Sequence, residues 1–312
     1  MTEHTTPVPG IDPDFGTGPV TRSLWSDAFH ALRRRVDVII ATVVALFFAV
    51  MAAVPRLFTA TDPKSCDISQ SKIRPQWFDG PHPLGTDLHG CDVLAQTVHG
   101  ARPSLLLAII VVAASLLIAF LLGSLAGYYM GVVDAVISRA LEVFFTIPFL
   151  LAALLILSLF RSVEFGHGLF AVMLPPAIVL IMFGWVEFTR YVRASVLETK
   201  NLDYVMAAQT LGASDVRVIF RHILPNAIAP VTALIPTRIA AIISAEAVLA
   251  FLGIGIRPPE ISWGISISRG ADWFSGGYPH LLLPALTCLL VTILAFVVLG
   301  DALRDALDPK LR

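Results

Sequence analysis

Six stretches of this chain are apolar for long enough to cross a bilayer as helices: residues 37–58, 103–129, 137–160, 170–189, 227–255 and 281–302. A hydrocarbon core about 30 Å thick takes about 20 apolar residues of helix. No water is available there to satisfy backbone N–H and C=O groups, so runs of this length must close their hydrogen bonds internally as helices. Hydrophobic residues make up 56% of the chain and charged residues only 14%, where water-solvated domains carry about 25% charged residues. The expected fold is an all-α integral membrane bundle of six transmembrane helices. A net charge of -1, with no basic face or tract, gives no footing for nucleic acid.

The flanks orient the bundle. Residues 1–22 are polar and proline-rich, without the apolar core or cleavage site of a secretion signal, and read as a disordered cytoplasmic tail. Residues 23–36 form an amphipathic pattern, with Trp25, Phe29 and Leu32 on one side and Arg33, Arg34 and Arg35 just before the first span, the mark of an interfacial helix. Starting inside, six spans return the C-terminus inside. That arrangement puts thirteen basic residues in inner segments and eight in outer ones, with Arg238 inside a span, in the direction of the positive-inside rule. The expected layout is a first span at 37–58, an extracytoplasmic segment at 59–102, and a core at 103–312 holding spans two to six and a cytoplasmic loop at 201–225.

Gly123, Gly127 and Gly131 recur every four residues at the end of span two. Small residues at this spacing let helix backbones approach closely. Packing inside this chain and a subunit interface both fit. Cys66 and Cys91 fall in the outer segment and Cys288 inside span six. Thiols on the oxidising face of a membrane can pair, so a Cys66–Cys91 disulfide is expected, stabilising the segment by about 3 kcal/mol through loop closure. Cys288 reads as a packing residue, and no spacing of Cys and His suggests a metal site.

Charges inside spans are costly, at roughly 2.5 kcal/mol or more each at the bilayer centre. Arg238 and Glu246 are eight residues apart in span five, about 80° around the helix. They fit the wall of a polar translocation path, and equally an ion pair to another helix or a Glu246 reaching the outer interface. Glu142, Glu187 and Asp301 lie nearer span ends. The aromatics Trp263, Trp273, Phe274 and Tyr278 follow span five; they fit interfacial anchors and also a docking surface.

Between spans four and five lies "DYVMAAQTLGASDVRVIFRHILP", residues 203–225, too polar to span and too patterned for a slack loop. Asp203 suits an N-cap, Gly212 a left-handed helix C-terminus, and Ser214 the cap of a second helix. Val216, Ile219, Phe220 and Ile223 recur at helical spacing along it. Pro225 and Pro230 are expected to break helix at the entry to span five. The result is a helix–turn–helix hairpin, either a surface cover for span ends or a projection that a cytoplasmic partner can push.

The stretch "AAQTLGASDVRVIFRHILP" resembles the EAA loop of ABC importer permeases. Ala207, Ala208, Gly212, Leu224 and Pro225 match its pattern, while Met206 stands at the glutamate and His222 at the isoleucine. "HPLGTDLHGCDVLAQTVHGAR", "AGYYMGVVD", "AEAVLAFLGIGIRPPEISWG" and "LGDALRDALDPKLR" extend the resemblance over residues 25–312, to the second ("C"-type) membrane subunit of the dipeptide/oligopeptide permease family. The resemblance implies a type I ABC importer permease-like bundle in the bacterial inner membrane, with both termini cytoplasmic. It implies a peptide importer in which Met206, Ala207, Ala208, Gly212, Ala213, Ser214, Leu224 and Pro225 form the contact to cytosolic ATPases. The implied partners are a homologous permease, two ATPase subunits and an extracytoplasmic substrate-binding protein. ATP and Mg would sit on the ATPases and no cofactor on this chain. In agreement, Lys64, Lys72, Lys200 and Lys310 follow Pro, Ser, Thr and Pro, so none makes the Gly-Lys of a phosphate-binding loop.

Hydrolase and metalloenzyme motifs are absent from the sequence. The other transport reading is a proton-coupled secondary transporter using Glu246 and Arg238 as a relay. It would not need the hairpin.

Overall fold

A computed structural model describes residues 32–307 apart from 78, 164 and 167. The expected tail at 1–22, most of the interfacial helix at 23–36 and residues 308–312 of the last motif lie outside the described residues. Ten helices organise the rest: α1 (Val36–Ala53), α2 (Val93–Tyr129), α3 (Gly131–Thr146), α4 (Phe149–Leu159), α5 (Leu169–Lys200), α6 (Asp203–Thr210), α7 (Asp215–Thr232), α8 (Ile235–Phe251), α9 (Trp263–Phe274) and α10 (Leu283–Leu307). Among the described residues there is no β-strand, only isolated antiparallel bridges between Cys66 and Cys91 and between Thr86 and Asp92.

Four helices, α1, α2, α5 and α10, are long and apolar enough to cross a membrane unaided. The runs at 137–160 and 227–255 are not single helices. Each is a bent pair, α3/α4 at 85° and α7/α8 at 55°, and the count reaches six when each pair is one span. Proline chemistry accounts for both breaks. Ile147 precedes Pro148 and is extended at φ -76°, ψ 122°, because the proline ring disfavours helix in the residue before it. The second break falls at Ala233 and Leu234, just ahead of Pro236 in the first turn of α8.

Helix begins before the expected second span at 103. Asp92 accepts a hydrogen bond from the Ala95 amide at 2.7 Å and so starts α2 ten residues early, with Pro103 inside the helix. At 37 residues and 1.5 Å per residue, α2 is about 55 Å long, well beyond a hydrocarbon core. Its partner is α5, of 32 residues. A Cβ at Gly123 would lie 2.8 Å from Val192, and one at Gly127 2.8 Å from Val196, so the small-residue stripe packs α2 on α5 within this chain. Gly131 does not belong to that stripe. It has open space around it and φ +56°, and it forms the turn into α3.

Leu107, Val111, Val179, Leu180 and Leu249 belong to one core cluster, Val192, Val196, Val205, Val218 and Ile223 to a second, and Phe48, Met51, Ile243, Trp263 and Leu289 to a third. Helix α10 closes the side formed by α1 and α8. Helix α2 runs from the segment before Asp92 to the α6–α7 hairpin, and α10 runs the same way. The bundle therefore has two unlike ends. One carries the disulfide-bearing segment; the other carries the hairpin and the ion pair of Arg35 with Asp305 at 3.1 Å.

Candidate functional site

The hairpin is built by its turn. Helix α6 ends in a Schellman motif: the Gly212 amide donates to the Gln209 carbonyl at 2.9 Å and the Ala213 amide to Ala208 at 3.1 Å. The motif needs a left-handed residue after the helix, and Gly212 supplies φ +83°. Two capping expectations change. Leu202 occupies the N-cap of α6, with Asp203 in the first turn. Ser214 is at the N-cap of α7, but its side chain makes no capping hydrogen bond.

The apolar face of α7 is also shifted. Val218, Ile219 and Ile223 are buried, whereas Val216 and Phe220 are 64% and 66% exposed. Residues Val218–Ile223 form a π-helical turn. Such widening accommodates Pro225, whose ring would press on the carbonyl four residues back in an α-helix. Contrary to expectation, helix continues through both Pro225 and Pro230.

Side chains staple the hairpin at both ends. Near the turn, the Tyr128 hydroxyl on α2 donates to Asp215 Oδ1 at 2.7 Å and accepts from Gln209 Nε2 at 3.4 Å. At the base, Asn226 Nδ2 donates to the Tyr204 hydroxyl at 2.7 Å, and that hydroxyl donates to the His222 carbonyl at 3.3 Å. The outer surface is left apolar: Leu211 is 87% exposed, and Tyr204, Met206, Val216 and Phe220 are exposed with it. Ala207, Gly212, Ser214 and Pro225 are exposed as well, while Ala208, Ala213 and Leu224 are half-buried.

The structure separates the two intramembrane charges of α8. Arg238 pairs with Glu187 of α5, its side chain 29% exposed. Glu246 is fully buried and accepts from the Ser262 hydroxyl at 2.8 Å; its Oε2 has no hydrogen-bond partner. Ser262 caps α9, its Oγ 3.3 Å from the Ile265 amide. Glu246 thus holds the start of α9 against α8.

At the opposite end, Cys66 and Cys91 form the expected disulfide, with Cα atoms 4.2 Å apart. Next to it, His82 lies between Asp92 Oδ2 at 2.9 Å and Gln70 Oε1 at 2.8 Å. The Lys72 ammonium sits 3.8 Å from the Trp273 ring centroid, a cation–π contact that ties the segment to α9. Trp263 is no interfacial anchor: it is fully buried, donates to the Thr97 carbonyl at 2.9 Å and meets Phe48 edge to face.

Residues 119–312 match the family described as "Binding-protein-dependent transport system inner membrane component". The chain belongs to this family. It is 35% identical over 291 residues to the dipeptide transport system permease protein DppC of Bacillus subtilis, covering 93% of this chain and 87% of that one. It is 33% identical over 293 residues to the oligopeptide transport system permease protein OppC of the same organism, at 93% and 91% coverage. The glutathione transport system permease protein GsiD of Pectobacterium atrosepticum is 37% identical over 238 residues, 75% of each chain. A solved amino acid ABC transporter with histidines superposes on 67% of this chain and 91% of its own, at 16% identity and a TM-score of 0.48.

The permease is therefore a multi-pass inner-membrane transport subunit, and its family is the membrane component rather than an ATPase. Two parts of its geometry were hidden in the sequence. One is the set Tyr128, Gln209 and Asp215, joined from elements far apart in the chain. The other is a cavity of about 460 Å³ at the disulfide end, lined by Arg56, Asp62, Lys64, His99, Arg102 and Glu260. Lys64 and Glu260 close one side of it as an ion pair at 2.9 Å. No local motif marks either set; the α2–α5 packing and the folded disulfide-bearing segment create them.

Proposed function

We propose that the permease is one of two membrane subunits of an ATP-driven peptide importer, taking dipeptides or longer oligopeptides from an extracytoplasmic binding protein. Its partners are a homologous permease and two cytosolic ATPase subunits, which hold the ATP and Mg. The observation that carries this reading is the row Leu211, Val216 and Phe220, held out from a stapled hairpin at 64% exposure or more. Apolar side chains on a rigid projection are what a partner's cleft can bury, and a few such anchors carry most interface energy. The hairpin and both termini then face the cytoplasm, and the disulfide segment faces outward where disulfides persist.

Met206, Ala207, Ala208, Gly212, Ala213, Ser214, Leu224 and Pro225 are the stretch that meets the ATPase. Met206 offers that partner an apolar contact where a carboxylate stands in the EAA pattern. Arg238, beside Glu187 and partly open, fits the wall of a translocation path, whereas Glu246 fits a pin for α9. Purification with the copurifying subunits, reconstitution into proteoliposomes and measurement of labelled dipeptide and oligopeptide uptake test the reading. Uptake should require ATP, and Leu211→Asp with Phe220→Asp should lower it at least about tenfold by removing interface anchors. Uptake driven by a proton gradient without ATP would overturn it.

A further inference from the structure

Both arms of the hairpin end on one side chain of the bundle. Tyr128 lies in the last turn of α2, 6% exposed, with its ring among Val192, Val196, Val205, Val218 and Ile219. Its hydroxyl donates to Asp215 at the start of α7 and accepts from Gln209 at the end of α6. The Gly212 turn lies between those two contacts. The backbone of the same residue is held from a third direction, because Lys200 Nζ, at the end of α5, donates to the Tyr128 carbonyl at 2.6 Å. Below this point the glycine contacts to Val192 and Val196 lock α2 to α5. Beside it, Arg193 on α5 and Asp134 on α3 form a two-pronged ion pair at 2.5 and 2.6 Å.

We propose that Tyr128 is the positioning residue that carries a displacement of the hairpin into the α2–α5 pair, through the hydroxyl shared by Gln209 and Asp215. Apolar packing alone is non-directional and lets surfaces slide. A hydrogen bond weakens steeply when bent or stretched, so a hydroxyl engaged with both arms resists their moving independently of α2. The proposal rests on the ATPase-coupling reading of the hairpin.

Tyr128→Phe is the informative change, because it keeps the buried ring and removes only the shared hydroxyl. Asp215 is exposed, so water replaces the lost donor and no buried group is orphaned. In the reconstituted complex, Tyr128→Phe should assemble and hydrolyse ATP at the basal rate. Peptide transported per ATP should fall about tenfold, within the range of ordinary coupling energies. Asp215→Ala should show the same loss, Asp215→Asn should retain coupling because its amide oxygen still accepts, and the Tyr128→Phe/Asp215→Ala pair should be no worse than either alone. A merely structural role would lower assembly and basal hydrolysis together and leave the ratio unchanged. Transport per ATP within twofold of wild type in Tyr128→Phe overturns the proposal; should that variant not assemble, the same result in Asp215→Ala does so. Absence of ATP-driven uptake by the wild-type complex overturns the importer reading and this proposal with it, whereas normal wild-type uptake with an unchanged variant overturns this proposal alone.

Discussion

At Gly212 a φ of +83° places the backbone where a Cβ costs about 1–2 kcal/mol. Gly212→Val should therefore open the Schellman turn and raise amide hydrogen exchange at Gly212 and Ala213 about 5–30-fold, while α2 and α5 stay protected. Glu246 offers a second test at this scale. Glu246→Gln keeps an oxygen for the Ser262 hydroxyl and should leave the thermal midpoint and uptake near wild type. Glu246→Leu leaves that buried hydroxyl without its acceptor, at about 1–3 kcal/mol, and should lower the midpoint of the detergent-solubilised protein. A Glu246→Gln variant that melts normally yet loses uptake would instead assign Glu246 to the path or to a proton relay. His280, in the turn before α10, has its imidazole held by burial below the ordinary value of 6.5. The folded state then disfavours the proton that the unfolded chain accepts. Its stabilising contribution is full above pH 6.5 and is lost as pH falls from there through the folded pKa. Thermal midpoints between pH 8 and pH 5 should show that decline, and His280→Gln should flatten it.

Among the elements, α2 and α5 form the axis on which the rest is hung. A side chain at Gly127 would meet Val196 at 2.8 Å and the Arg193 carbonyl at 3.0 Å, and backbone cannot yield as a flexible side-chain tip does. Gly127→Leu should part the two helices, at about 1–3 kcal/mol or more for overpacking, seen as loss of monodisperse protein in size-exclusion chromatography. This stripe was legible as sequence because its period is that of a helix face; its partner was not, since lipid-facing and helix-facing glycines share one spacing. The hairpin was legible in the same partial way. Gly212 and the helical repeat pointed to two short helices and a turn. The exposed face was misjudged: Val216 and Phe220 are exposed, and the π-helical turn at Val218–Ile223 departs from the 3.6-residue repeat that grouped them with Ile219 and Ile223, a widening that answers Pro225 rather than any hydrophobic pattern. The helix breaks at Ile147 and Ala233 were likewise invisible to a count of apolar residues, which records length and not direction.

Taken whole, the permease sets its disulfide segment and its hairpin at opposite ends of one bundle, and this polarity makes a prediction about sidedness. Single cysteines introduced by Asp62→Cys and Leu211→Cys, both at exposed positions, should behave oppositely in intact cells. The first should react with a membrane-impermeant thiol reagent from outside, and the second only after permeabilisation. What composition and order settled is the helical membrane class, the hairpin between two spans and the cysteine pairing. Bilayer thickness, unsatisfied backbone groups and local turn chemistry act over short stretches of chain, so sequence reports them directly. Tertiary structure alone decided that Arg238 meets Glu187, that Glu246 is enclosed with Ser262, that Trp263 is core, and that Tyr128 joins both arms of the hairpin. Those outcomes depend on which helix faces are brought together, and that is set by close packing across residues distant in the chain.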